Sequence, residues 1–331
     1  MALYDAHNHL QDGRFLGRQD ELVAACRDVG VVRMVVNGSC EKDWPAVAEI
    51  ARRYPDLVVP SFGLHPWHVH QRTPAWFDEL RRNLDDVPGA VVGEIGIDRW
   101  ILECPPSARA AVSPEIAGLT AAALPEQEEI FSVQIALATE RNIPASIHCL
   151  QAWGRMHDRL RGGPRPACGF LLHSYGGPIE LVEPLTRLGA YFGFPGYFLH
   201  ARKARQRAVF RAVPAARLLV ETDAPDQRLP ATAEWHVAHE RVEGPVLGAM
   251  AAPSTEAQLG MSLGDSRPLP GMIEGWSPRI LAGGAGQMLN HPADLALVYG
   301  GLASWLGESP EILAARVGEA FETLFGRAKA H

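Results

Sequence analysis

No Cys-x-x-Cys pair occurs among the five cysteines, Cys26, Cys40, Cys104, Cys149 and Cys168. Their number is odd and their spacing scattered, so neither a disulfide framework nor a thiolate zinc site is suggested. An excess of positive charge is also missing. The 31 Lys and Arg residues against 38 Asp and Glu give a formal charge of −7. That excludes broad, non-specific coating of nucleic acid but leaves room for a local basic groove. No apolar run approaches the ~20 residues needed to span a bilayer. No glycine-rich phosphate loop follows the first apolar segment, which removes support for an open, doubly wound dinucleotide-binding sheet. The first motif begins at Asp5, which leaves no room for a signal peptide. Together with free thiols, this predicts a cytoplasmic location.

What is present is a large apolar fraction, 47% of 331 residues, enough for a substantial core. Eight strand-like runs alternate with amphipathic helical stretches. The runs are "ALYDAHNH" (2–9), "VVRMVVNG" (31–38), "LVVPSFGLH" (57–65), "GAVVGEIGID" (89–98), "IPASIHC" (143–149), "GFLLHSYGG" (169–177), "LGAYFGFPG" (188–196) and "ARLLVETDAP" (216–225). Helix candidates between them include 20–30, 44–55, 125–142 and 178–189. Eight β–α repeats predict a closed parallel barrel of the TIM type, (β/α)8, forming one domain over 1–331. Two segments break the rhythm, about 99–124 after the fourth strand and about 226–289 after the eighth. Both read as insertions at the catalytic face. Near the end, "ESPEIL" predicts a helix start, with Ser309 as N-cap and Pro310 at the first helical position.

The polar residues fall at strand ends. Asp5, His7 and His9 are two residues apart, so in a strand they share one face. His65 ends the third strand, Glu94 and Asp98 the fourth, His148 the fifth and His173 the sixth. Glu221 and Asp223, again two apart, end the eighth. The C-terminal mouth is where barrel enzymes carry their active sites. Histidines and carboxylates gathered there are costly to bury without a compensating partner, and a divalent cation or a pair of them supplies one. Two ions side by side suit phosphoester hydrolysis. A lone strand histidine is usually a satisfied core or surface residue; recurrence on several strands argues for metal at His7, His9, Glu94, His148, His173 and Asp223. His65 reads as a substrate contact, because Pro66 ends its strand. Asp5 and Glu221, one pleat deeper, are expected to orient a ligand histidine or to hold a network. His68, His70, His157, His200, His236, His239, His291 and His331 lack such placement, and most are expected to be solvated. "HARKARQR" (200–207) is either a basic rim for a nucleic-acid backbone or a solvated helix face.

These residues carry a resemblance. The motifs "DAHNHL" (5–10), "GLHPW" (63–67), "GEIGID" (93–98), "SIHC" (146–149), "LLHSYGG" (171–177) and "LLVETDAP" (218–225), in this order, resemble the TatD-like hydrolases. Those are metal-dependent deoxyribonucleases of the amidohydrolase superfamily. The Asn290–Pro292 segment and "ETLFG" (322–326) are similar too. The resemblance implies two divalent ions (Mg, Mn or Zn). His7, His9 and Asp223 would hold one and His148 and His173 the other, with Glu94 bridging. It also implies that His65 contacts the scissile phosphate and that Asp223 orients or deprotonates the attacking water. The implied substrate is DNA or a small phosphoester, with no membrane or obligate protein partner. The chain departs from the pattern at Leu150, where an Arg is typical, and in its two insertions, which disfavour long duplex DNA. Two other readings stay open. One is hydrolysis of a small amide, lactone or phosphotriester; the other is a non-catalytic barrel scaffold.

Overall fold

The computed structural model describes residues 1–112, 116–230, 278–279, 281–283 and 287–326. Eight parallel strands follow one another in sequence order: β1 (Leu3–Asn8), β2 (Val31–Asn37), β3 (Val58–Phe62), β4 (Val91–Asp98), β5 (Ala145–Leu150), β6 (Phe170–Leu172), β7 (Ala190–Pro195) and β8 (Leu218–Glu221). The sheet closes just beyond the last strand, where Asp223 N–H donates to the His7 carbonyl (2.9 Å) and His9 N–H to that of Ala224 (2.8 Å). A parallel barrel covered by helices buries both faces of its strands, hence near-continuous apolar runs. Every residue of β4 is buried. The (β/α)8 barrel expected from the alternation is the observed fold.

The longer helices each bury a stripe against this barrel. Helix Trp44–Arg53 buries Trp44, Val47, Ala48, Ile50 and Ala51, the spacing of a 3.6-residue period. Helix Pro310–Phe325 starts where the sequence predicts, with the Ser309 hydroxyl accepting from Ile312 N–H. Helix Leu124–Arg141 buries Gln127 and Gln134 along with Ile130, Phe131 and Ala138. These glutamines lie two turns apart on one face and pin two strand ends. Gln127 Oε1 accepts from Asp98 N–H (2.8 Å), while Gln134 accepts from Leu64 N–H (2.7 Å) and donates to its carbonyl (3.1 Å).

Some elements are shorter than their apolar runs. β6 stops at Leu172, β3 at Phe62 and β8 at Glu221, so His65, His173 and Asp223 stand on the turns just past their strands. The candidate helix at 178–189 divides into a 3-10 turn, Ile179–Leu181, and a helix, Val182–Arg187. Segment 99–124 carries two short helices, Trp100–Glu103 and Pro106–Val112. Of 226–289, a small antiparallel pair, Leu281–Ala282 with Met288–Leu289, is described, and most of the remainder lies outside the described residues. No helix among the described residues is long and apolar enough to cross a membrane.

Candidate metal centre

β1 delivers His7 and, one step beyond its end, His9. His7 is fully buried, and its Nδ1 lies 2.9 Å from the Ser146 hydroxyl. His9 Nδ1 lies 2.8 Å from the Asn37 carbonyl. A carbonyl can only accept, so His9 carries a proton on Nδ1 and turns Nε2 inward. The two Nε2 atoms stand 3.3 Å apart. Both face Glu94 Oε2 (3.4 and 3.3 Å) and Asp223 Oδ1 (3.6 and 3.5 Å).

Glu94 turns its other oxygen to a second set of rings. Oε1 lies 3.3 Å from His65 Nε2, 3.1 Å from His148 Nδ1 and 2.9 Å from His173 Nε2. The preceding residue must be glycine. Gly93 has φ +153°, and a Cβ there would sit 2.7 Å from Ser61 Oγ and 2.8 Å from Ser146 Cβ. Asp223 also has a positive φ, +53°. Its Oδ2 is held by the Gln227 amide (2.6 Å), which leaves Oδ1 facing the histidines. His7, His9, His65, Glu94, His148, His173 and Asp223 thus converge in overlapping groups able to hold metal: His7–His9–Asp223, His7–Glu94–His173 and His65–Glu94–His148.

The model of the TatD related DNase family matches residues 4–326. The chain belongs to that family. It is 25% identical to the 3'-5' ssDNA/RNA exonuclease TatD of Pantoea vagans over 324 residues, which cover 98% of this chain and 99% of that one. The protein of the same name from Edwardsiella piscicida is 29% identical over 224 residues, 67% of this chain and 79% of its own. Among solved structures, the TatD homologue YjjV of Escherichia coli shares the fold, with a TM-score of 0.69 at 19% identity over 98% of each chain.

Outside the cluster, further groups fix the TatD-family histidines. Asp98 Oδ2 meets His148 Nε2 (3.1 Å) and accepts from the Trp67 indole (2.6 Å), and its Oδ1 accepts from Ile101 N–H (3.0 Å). His148 therefore presents Nδ1, not Nε2, to Glu94. Glu221 Oε1 accepts from Ser174 N–H and Oγ (2.6 and 2.7 Å) and lies 3.7 Å from His173 Nδ1. Its Oε2 is seated against Gly193, where a Cβ would come within 2.0 Å. Asp5 reaches no ring. It accepts from Thr222 N–H and Oγ1, Asn8 Nδ2 and His7 N–H, tying β1 to the turn after β8. Burial pushes its pKa up to about 7 against those bonds.

His65 differs from its neighbours in turning a protonated nitrogen toward Glu94. Its Nδ1 accepts from Trp67 N–H (3.2 Å), so in the neutral ring the proton sits on Nε2, which faces Glu94. Burial holds its pKa down to about 4. Near neutrality it is an uncharged donor, which suits an oxygen of a bound substrate better than a cation. Burial opposes charge on Glu94, yet His65, His173 and His7 hold its pKa well below the ordinary value.

The cluster opens into a cleft of about 1390 Å³. Leu150 borders it, 38% exposed. Arg202 and Lys203 border it too, but Arg207 is buried and bonds the carbonyls of Phe198 and His200. Of the histidines without a strand-end placement, His236, His239 and His331 lie outside the described residues, and His291 is not solvated. It is buried and accepts from Ala293 N–H. His68 and His200 border the cleft. Sequence reasoning assigned no role to Gln127, Gln134, Ser146, Asn37 or Gln227. Only the glutamine pair left a trace, two amides at heptad spacing on an otherwise apolar helix stripe.

Proposed function

We propose that this chain hydrolyses phosphodiester bonds of nucleic acid, from single-stranded substrates, with two divalent cations. The observation that carries the reading is the division of Glu94, one oxygen toward His7 and His9, the other toward His148 and His173. The donor set fits the ions. Imidazole nitrogens and carboxylate oxygens suit Zn²⁺ and Mn²⁺, and a carboxylate can bridge two centres. The pairs His7–His9 and His148–His173 each set ring nitrogens 3.1–3.3 Å apart, close enough for one cation to take both. His7, His9 and Asp223 would hold one ion, His148 and His173 the other, and Glu94 both. Such ions lower the pKa of water and neutralise charge on the phosphoryl group.

The chain's own residues do the rest. Asp223 Oδ1, held in place by Gln227, accepts the proton of the attacking water or aligns it. His65 donates from Nε2 to a phosphoryl oxygen as negative charge grows there. The choice of a single strand is supported by the named activity of the Pantoea and Edwardsiella relatives. It is also supported by the helices of 99–124, since Trp100 stands on the cleft wall.

The test is ion analysis of purified protein coupled to cleavage of end-labelled oligonucleotides with Mg²⁺, Mn²⁺ or Zn²⁺. Two ions per chain and chelator-sensitive cleavage are expected, with Asp223→Asn lowering turnover by about 10²–10⁴-fold. Cleavage that survives complete ion removal, or full activity in Asp223→Asn, refutes the reading.

A further inference from the structure

The cleft has two unlike walls. Strands four places apart in a closed ring of eight stand opposite each other, so the loops after β3–β5 face those after β7, β8 and β1. The first arc carries the large apolar groups Trp67, Trp100, Leu150 and Trp153, beside the polar Gln71 and Gln151. The facing arc is polar and basic, with Tyr197, Arg202, Lys203 and Arg228.

The apolar arc is ordered. The Trp67 indole is held through its N–H on Asp98 (2.6 Å) and stands edge-on to His65, with centroids 4.9 Å apart at 82°. Trp100 lies beside it, 6.2 Å away at 38°. Both rings are half-buried and border the cleft. Leaving indole and leucine surface open to water is unfavourable, and a flat apolar partner relieves that cost.

Among the described residues, part of the positive charge on the facing arc has no paired carboxylate. Arg14, also on the cleft, is neutralised by Asp12 and Asp226, each at 2.7 Å. Among the described residues no carboxylate pairs with Arg202, Lys203 or Arg228. Arg202 and Lys203 instead lie over the Tyr197 ring at 5.3 and 4.8 Å, and Arg202 donates to its hydroxyl (3.0 Å).

We propose that the Trp67–Trp100–Leu150 wall is a nucleobase subsite and that Arg202, Lys203 and Arg228 hold the backbone phosphates. This rests on the phosphodiesterase reading and deepens it. A single strand has the matching asymmetry, with anionic backbone on one side and unpaired aromatic bases on the other. A duplex turns its bases inward and cannot offer one to the wall. The wall therefore selects an unpaired base beside the scissile phosphate, by stacking and without reading its sequence.

The test is a cycle of two changes: Trp100→Ala in the protein, and an abasic site beside the scissile phosphate in a single-stranded oligonucleotide. With wild-type protein, removing the base raises KM by about tenfold. In Trp100→Ala that penalty falls to less than about twofold. An undiminished penalty overturns the base subsite. Leu150→Ala gives the same reading with a smaller change, should Trp100→Ala fail to fold. For the basic arc, the Arg202→Ala/Lys203→Ala double variant lowers the slope of log KM against log salt by about 1 to 2. An unchanged slope overturns the phosphate assignment. Failure of the hydrolase reading looks different: wild-type protein then cleaves neither oligonucleotide, and the same cycle is read from the Kd of each for the metal-loaded chain.

Discussion

The two halves of the cluster are held by different means. His7 and His9, at the β1–β8 seam, rest their remote nitrogens on uncharged partners, the Ser146 hydroxyl and the Asn37 carbonyl. The seam itself fixes them, because Asp223 N–H bonds the His7 carbonyl and His9 N–H that of Ala224. His148 rests on a carboxylate, Asp98, and His173 faces another, Glu221. Barrel closure builds the first half; side chains build the second. A carboxylate behind an imidazole makes it a stronger donor toward a cation. The second half therefore gains basicity at the cost of depending on single side chains.

Glu94 joins the halves, so removing its charge breaks the comparison altogether. Glu94→Gln leaves five histidines and Asp223 around a site without its shared anion. Both ions are expected to be lost and turnover to fall by about a thousandfold or more, roughly 4 kcal/mol of barrier. Ion content and kcat of the variant check this. Retention of both ions would mean two independent sites.

This division explains what could be read from the sequence. The ligand candidates were legible because each is a polar residue at the end of an apolar run, and β–α alternation gathers such ends at one mouth. His173 was legible even though β6 stops at Leu172, because its N–H still bonds the Ile147 carbonyl and extends the ladder. Of the supports, Asp5 and Glu221 were legible one pleat below the ligand candidates, and the others were not. Asn37 acts through its backbone carbonyl, which any residue has. The joint hold of Trp67 and Asp98 on His148 joins loops whose approach only the closed barrel determines. His291 looked like a surface residue because its partner, Ala293 N–H, is again backbone.

Substitution behind the rings sharpens the contrast. Asp98→Asn keeps the shape but removes the charge behind His148. The ion of the second half is expected to bind about 10–100-fold more weakly. Ser146→Ala removes only a neutral partner of His7, and the first half should weaken by less than about tenfold. Stepwise titration of metal-free protein with Zn²⁺ or Mn²⁺ measures both. Equal losses, or a larger one in Ser146→Ala, would erase the distinction between the halves.

The smallest effect concerns protons. Burial opposes charge on all four rings, but not with the same outcome. His7 is lowered by burial and by the neighbouring His173. On His9, hydrogen bonds to Asp223 and Glu94 overcome burial and raise the pKa well above the ordinary value. His173 is raised likewise, chiefly by the charge of Glu94, and His148 by its hydrogen bonds to Asp98 and Glu94. A cation binds the neutral ring, so it must displace whatever protons the empty site holds. His9 in the first half, and His148 and His173 in the second, are the rings held above the ordinary value. Below those raised pKa values, log affinity should climb with pH, more steeply for the second ion than for the first. On acidification the ion of the second half leaves first, even though that half is the more basic. Calorimetric titrations in buffers of different ionisation enthalpy count the protons released, and equal counts would show that the carboxylates behind His148 and His173 do not set the halves apart.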